Sequence, residues 1–246
     1  MELKIVLVLA IIGLFVGLAK TAIGGFGLLA VTLCVSILPA RESTGIMLIL
    51  LLIGDLFAIR MYRNFVDWKM MRFLIIPVAI GIVIGGFFLF RASDSSLKEF
   101  IGWIVVALVL IFVVSKKITN KLSHLSESTS TMLGLFLGML SGFMSAVANA
   151  GGTPMSIYLF LRKNEKMIFL GNSAWFFFIV NLTKVPIIVV LSLLSIESLK
   201  YLIPAIPFIF LGAYLGRRII QKIDQNLFQN VTLFFSLLVG IRLIFS

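Results

Sequence analysis

The chain is a series of apolar runs separated by short polar connections. The first run, residues 5–18, is too short to span comfortably, since a bilayer core of about 30 Å needs about 20 helical residues. A polar, glycine-rich break follows at Lys20-Thr21-Ala22-Ile23-Gly24-Gly25-Phe26-Gly27, then a still shorter run, 28–38, stopped by Pro39. Residues 44–59, 70–90 and 98–114 each predict a spanning helix, the middle one carrying Pro77 and Gly85-Gly86. Residues 116–130 form the one polar linker of any length. Beyond it the order recurs: 131–148, a break at Asn149-Ala150-Gly151-Gly152-Thr153-Pro154, then 154–161, 167–191, 199–215 and 227–245. In the second break Thr153 reads as an N-cap and Pro154 as the first helical residue, where a missing N–H costs nothing.

The recurrence can be followed residue by residue. Gly13, Gly17 and Gly27 match Gly138, Gly142 and Gly152 at an offset of 125; Asp55 matches Asn181 at 126; Pro77, Gly85 and Arg91 match Pro204, Gly212 and Arg218 at 127. A slowly drifting offset is what duplication with small insertions leaves. The organisation expected is one repeat over 1–115, a linker over 116–130 on the cytoplasmic side, and a second repeat over 131–246. An internal copy of the first run also argues against reading it as a signal peptide. Two breaks at matching places in two halves point to a transporter's central binding site; the plainer reading of either alone is a glycine-eased packing contact.

Composition agrees with a membrane setting. Hydrophobic residues make up 61% and charged residues 13%, with a mean hydropathy of +1.16, far from the soluble average of about 45–50% and about 25%. The net charge of +11 does not imply nucleic acid, because the 21 Lys and Arg lie in short clusters between apolar runs. A single cysteine, Cys34, excludes a disulfide framework and a C-x-x-C pair, and the single histidine, His124, lies in the linker. No metal-ligand spacing occurs, and neither a metal nor a cofactor is expected.

Charge then orients the chain. If each broken segment enters and returns to one side, thirteen basic residues share a face: Arg60, Arg63, Lys69, Arg72, Lys116, Lys117, Lys121, Arg162, Lys163, Lys166, Arg217, Arg218 and Lys222. Six share the other: Lys4, Arg41, Arg91, Lys98, Lys200 and Arg242. If each broken segment crosses once, the split is ten to nine and the bias vanishes. Because cytoplasmic loops carry the excess of Lys and Arg, the first arrangement is expected, with both termini outside. Three crossings per half make the repeats inverted.

Lys20 and Lys184 belong to neither count, because both sit within or beside membrane segments. A Lys at bilayer depth costs about 2.5–3.5 kcal/mol on insertion scales, so each either snorkels to a headgroup or neutralises an anionic substrate. Asp55, the one acid well inside a helix, is placed near a membrane end beside Arg60, with pairing to Lys184 or proton binding as alternatives. Half-helices starting near Leu28 and Pro154 would aim unpartnered N–H groups and positive dipole ends into one cavity, where glycines allow close approach. The expected substrate site is Lys20, Gly24, Gly25, Gly27, Asn149, Gly151, Gly152, Thr153, Asn172, Asn181 and Lys184.

The sequence also resembles the sulfite exporter TauE/SafE family of bacterial membrane permeases. The likeness lies in the duplicated glycine motif (13–27 and 138–154), in Asn64-Phe65-Val66-Asp67-Trp68 between two helices, and in the helix with Pro77, Gly81 and Gly85-Gly86. It covers essentially the whole chain. It implies a secondary transporter of the inner membrane for sulfite or organosulfur anions such as sulfonates. The chain departs from the family pattern where Phe26 interrupts the first glycine triplet, where Asn149-Ala150 precedes Gly151-Gly152, and at Gly171-Asn172-Ser173 in place of Gly-Thr-Ser.

The expectation is therefore an all-α polytopic membrane protein of two inverted repeats, each a re-entrant or broken hairpin plus three transmembrane helices. It would carry a small anion by alternating access in a lipid bilayer, with a proton or sodium as coupling ion and a homodimer left open. An anion channel is the closest rival, ahead of a non-transporting assembly protein. An intramembrane enzyme lacks paired carboxylates, an intramembrane histidine and a Ser-His arrangement.

Overall fold

In bilayer every backbone N–H and C=O needs an internal partner, so apolar sequence of this kind is forced into helices. The computed structural model describes residues 3–21, 25–118, 127–162, 166–194, 200–219, 234, 237, 238, 241, 244 and 245. The described residues form helices α1 (Leu3–Thr21), α2 (Gly25–Ile37), α3 (Ala40–Tyr62), α4 (Trp68–Arg91) and α5 (Asp94–Ile118). After the middle connection come α6 (Glu127–Ala148), α7 (Gly152–Leu161), α8 (Lys166–Val190) and α9 (Leu202–Ile219), with no strand among the described residues. Over Ala40–Tyr62, Trp68–Arg91, Thr131–Ala148 and Met167–Val190 the helices are long and apolar enough to cross a membrane. The protein is an all-α polytopic membrane protein. The span expected at 227–245 lies largely outside the described residues.

Several boundaries differ from those expected. Pro39 ends the α2 connection and α3 begins at once, Ser43 N–H donating to Pro39 O at 2.8 Å and Ser43 Oγ to Cys34 O at 3.2 Å. α5 runs on to Ile118 and α6 starts at Glu127, because polar residues extend a helix freely once it leaves the apolar layer. The second half-helix starts at Gly152, so Thr153 is not its N-cap. Pro154 still sits where its missing N–H is harmless, since the first four N–H groups of a helix have no intrahelical partner.

α1 packs most extensively on α9, and α4 on α6. Glycine makes both contacts close. A Cβ on Gly13 or Gly17 would strike the carbonyls of Ala205 and Ile209; one on Gly142 would strike that of Val78, and one on Gly81 that of Met139. Without a hydrophobic drive between helices in lipid, such close backbone approach supplies the attraction. The order of contacts fixes direction. Gly13 meets Ala205, Gly17 meets Ile209 and Thr21 Oγ1 donates to Ala213 O, so α1 and α9 are parallel. Leu74 lies against Gly138, Val78 against Gly142 and Gly85 against Ala146, so α4 and α6 are parallel as well.

α3 and α8 run antiparallel through the middle. Gly45 lies against Leu193, Asp55 bonds Asn181, and Trp175 Nε1 donates to Arg63 O. One end of the molecule therefore gathers Tyr62, Arg63, the Trp68–Trp175 ring pair at 5.0 Å, and the last turn of α9 with Arg217 and Arg218. At the other end Arg41 Nη1 donates to Leu89 O and Ala92 O, and the Arg41 amide donates to Asp94 Oδ1.

Candidate functional site

Two interrupted hairpins enter this bundle from opposite ends. At the first break Thr21 O accepts the Tyr62 hydroxyl at 2.9 Å, near the last turn of α3. At the second, Asn149 Nδ2 donates to Thr44 O at 3.1 Å, near the first turn of α3. α6 stops because Asn149 turns left-handed, with φ 51°, a conformation that asparagine tolerates better than most residues. The Ala150 amide reaches back to Met144 O at 3.1 Å, and Ser141 Oγ donates to Gly151 O at 2.7 Å. The break is thus bonded on both sides rather than left open.

Between the breaks lies a cavity of about 70 Å³, several times the ~10–15 Å³ that one water needs. Ala19 and Lys20 of α1 line it, with Gly27 and Leu28 of α2 and Leu51 of α3. Ser145 of α6, Asn149, Ala150 and Gly151 of the second break, Gly152 of α7, and Phe177 and Asn181 of α8 complete it. Gly27 and Gly152 behave alike. The nearest atom to a Cβ would be Ala19 Cβ for the first and Phe177 Cζ for the second, each at 3.9 Å. At both helix starts a Cβ would therefore make no more than ordinary van der Waals contact.

The polar centre is built by helices of both halves. Lys20 Nζ lies 2.6 Å from Asp55 Oδ1 and 4.8 Å from the centroid of the Phe177 ring. Asp55 is completely buried, and its Oδ2 accepts from Asn181 Nδ2 at 2.7 Å. Lys184, also buried, donates to Ser145 O at 2.8 Å, Ser145 Oγ at 3.0 Å and Asn149 Oδ1 at 2.7 Å. An ammonium has three N–H donors, and here all three go to neutral oxygens. Two lysines thus stand near one carboxylate, and only Lys20 touches it.

This geometry corrects one sequence expectation and bears on a second question that the sequence leaves open. Asp55 is not at a membrane end beside Arg60; it is paired with Lys20 in the interior. Neither lysine snorkels, for Lys184 is 3% exposed and the side chain of Lys20 10%, turned onto Asp55. Of the expected site residues, Lys20, Gly27, Asn149, Gly151, Gly152 and Asn181 meet at the cavity, and Lys184 stands behind it on Ser145 and Asn149. Asn172 is elsewhere: its Oδ1 accepts the Asp67 amide at 2.7 Å, while Asp67 Oδ1 caps α4 through the Met70 amide. Gly25 opens α2; Gly24 and the side chain of Thr153 fall outside the described residues.

Sequence reasoning does not find Ser145, Leu51 or Phe177. Ser145 carries a signal, lying at the same offset of 125 from Lys20 that relates the glycines. Leu51 and Phe177 are apolar residues in apolar helices and carry none. Among the described residues no group of three or more His, Cys, Asp or Glu is placed to hold a metal ion.

Apolar helices enclosing a charged, cavity-bearing centre between two broken hairpins define a polytopic membrane protein of the transport class. The family model for the sulfite exporter TauE/SafE family matches residues 9–243, nearly the whole chain, and the protein belongs to that family. No curated protein and no solved structure gives a match.

Proposed function

We propose that the protein is a secondary transporter of small anions, sulfite or organosulfonates foremost, that works by alternating access of two inverted repeats around the central cavity. The observation that carries this reading is the gathering of two buried lysines, Lys20 and Lys184, at a cavity whose one neighbouring carboxylate, Asp55, is already paired with Lys20. A buried charge without a counter-ion is expensive, and an anion entering the cavity supplies the missing partner. The starts of α2 and α7 add unpartnered N–H groups and positive dipole ends at Gly27 and Gly152. The cavity, about 70 Å³, suits a small oxyanion better than a drug-sized ligand, whose pockets measure about 300–1,000 Å³.

The helix directions support the inverted plan. An axis in the membrane plane that exchanges the halves sends α3 onto an antiparallel α8, and turns the α1–α9 contact into the α6–α4 contact. Rocking of one repeat against the other would then open the cavity to each end in turn. By the positive-inside rule the end holding Arg63, Arg217 and Arg218 is cytoplasmic, in a bacterial inner membrane with both termini outside. The role is transport rather than catalysis.

Sulfite and sulfonate flux into proteoliposomes tests the reading. A saturable, slow flux without resolvable unitary currents is the expected result. Large unitary currents would establish a channel instead, and the absence of flux for every sulfur anion tried would overturn the proposal.

A further inference from the structure

Asp55 has two unusual features. It is completely buried, yet the two groups that hold it, Lys20 and Asn181, both line the cavity while Asp55 itself does not. Its partner Lys20 is also one of the two cations offered to the anion. A carboxylate and a substrate anion therefore compete for one ammonium.

We propose that Asp55 is the proton-binding site of the transporter, and that protonation hands Lys20 from Asp55 to the substrate, which couples anion movement to proton movement in the same direction. This rests on the anion reading above. A proton from cavity water adds to Asp55 Oδ1, forming an O–H bond and a neutral carboxyl, while Oδ2 keeps its hydrogen bond from Asn181. The Lys20 ammonium keeps its charge, loses its counter-ion and turns to the anion's oxygens. Loss of that proton restores the carboxylate, which reclaims Lys20 and releases the anion. Because binding free energies are reciprocal, whatever the proton gains from the anion the anion gains from the proton.

The surroundings favour a proton over a sodium ion. A hard cation needs a shell of oxygens, whereas both oxygens of Asp55 face nitrogen donors. Among the described residues no other acid acts on Asp55. The charged groups that reach Asp55 are Lys20 from α1 and Lys184 from α8. α2 brings only Cys34, close to Ser43 at the far end of α3. The charged residues of α5 lie in its first turns at the Arg41 end (Asp94, Lys98 and Glu99) and in its last (Lys116 and Lys117), and those of α9 (Arg217 and Arg218) in its last turn. Along α3 itself, Arg41 and Glu42 lie at the start, Arg60 and Tyr62 at the close. The pairing of Asp55 with Lys20 is thus the one ion pair within the membrane interior among the described residues.

The test uses an alkylsulfonate, which stays anionic throughout, titrated into the purified protein between about pH 5 and pH 8. Wild-type affinity should rise as pH falls, by up to about tenfold per pH unit, the limit for one linked proton. Asp55→Asn, which imitates the neutral carboxyl, should bind at every pH as the wild type does when acidic. In proteoliposomes a sulfonate gradient should acidify the receiving side with the wild type and not with Asp55→Asn. Wild-type binding that is flat with pH, sulfonate flux without proton movement, or an unchanged pH slope in Asp55→Asn would each overturn the proposal. Should Asp55→Asn fail to fold, the wild-type proton flux decides alone. Failure of the wild type to bind any sulfur anion at any pH is a different result, which removes the anion reading and the coupling with it.

Discussion

Asp55 and Asn181, 126 residues apart in the chain, touch each other: Asn181 Nδ2 donates to Asp55 Oδ2 at 2.7 Å. In the proposed arrangement of two inverted repeats this bond lies close to the axis that relates them, because residues exchanged by a two-fold relation meet only there. Replacing Asn181 with Leu removes the donor and leaves a buried carboxylate oxygen without a partner, a loss of about 1–3 kcal/mol. Thermal unfolding in detergent should show a clear fall for Asn181→Leu and a smaller one for Asn181→Gln. Equal stability of Asn181→Leu and wild type would remove this bond from the packing of α3 on α8.

Lys184 should behave in the opposite way. Its ammonium is bonded only to Ser145 and Asn149, so Lys184→Met takes away a buried charge without stranding another. Replacing buried charges by apolar groups of similar volume is often neutral for stability. Lys184 acts on the anion through Ser145 and Asn149 rather than by direct contact, so sulfite affinity should fall, by about tenfold for each ~1.4 kcal/mol of attraction lost. Calorimetric titration and the yield of monodisperse protein check the two halves of this statement. Unchanged affinity would remove Lys184 from the anion's surroundings.

The glycines divide into two kinds that one substitution separates. A methyl at Gly17 or Gly142 meets the backbone of Ile209 or Val78. Neither carbonyl can step aside, so Gly17→Ala and Gly142→Ala should lower stability by about 1–3 kcal/mol. A methyl at Gly27 or Gly152 meets nothing closer than 3.9 Å and enters the cavity. Alanine is the better helix former by up to about 1 kcal/mol, so Gly27→Ala and Gly152→Ala should fold normally and bind sulfite at least about tenfold more weakly. Denaturation midpoints alongside binding constants would reveal the contrast, and similar losses of stability in all four variants would erase it.

Sidedness gives a fourth expectation. Asn64 and Arg162 flank the end that holds the Trp68–Trp175 pair, whereas Ser93 adjoins Arg41 and Asp94 at the other. The natural Cys34 is buried, so single cysteines introduced at these exposed positions should report alone. Asn64→Cys and Arg162→Cys should react with an impermeant maleimide only from the cytoplasm, and Ser93→Cys only from outside. Labelling of Asn64→Cys and Arg162→Cys from different sides would break the inverted arrangement.

What the sequence reveals follows from contrast. Glycine and amide residues interrupting apolar runs stand out, which is why Lys20, Gly27, Asn149, Gly151, Gly152 and Asn181 are legible in the sequence, and the fold brings them together at one cavity. Phe177 is not legible, because a phenylalanine in an apolar helix looks the same whether it faces lipid, core or a lysine. Asp55 is misplaced by its neighbour in sequence, Arg60, because its true partner, Lys20, comes from another helix. Asn172 shows the reverse error: a polar residue inside a helix reads as a ligand donor, yet its carbonyl holds the start of α4. Helix ends consume polar side chains too, and spacing along one chain does not distinguish the two uses. The starts of α3, α6 and α7 lie a few residues from the expected ones because capping and apolar boundaries need not coincide.

The central claim is that an anion is held between the two broken hairpins, and the most direct measurement locates one. Selenite or selenate, heavier relatives of the sulfur oxyanions, would be bound to crystals of the protein and found by anomalous scattering. The account predicts one peak in the cavity lined by Lys20, Gly27, Asn149 and Gly152. A peak at the protein surface, with this cavity empty at concentrations that saturate binding in solution, would contradict it.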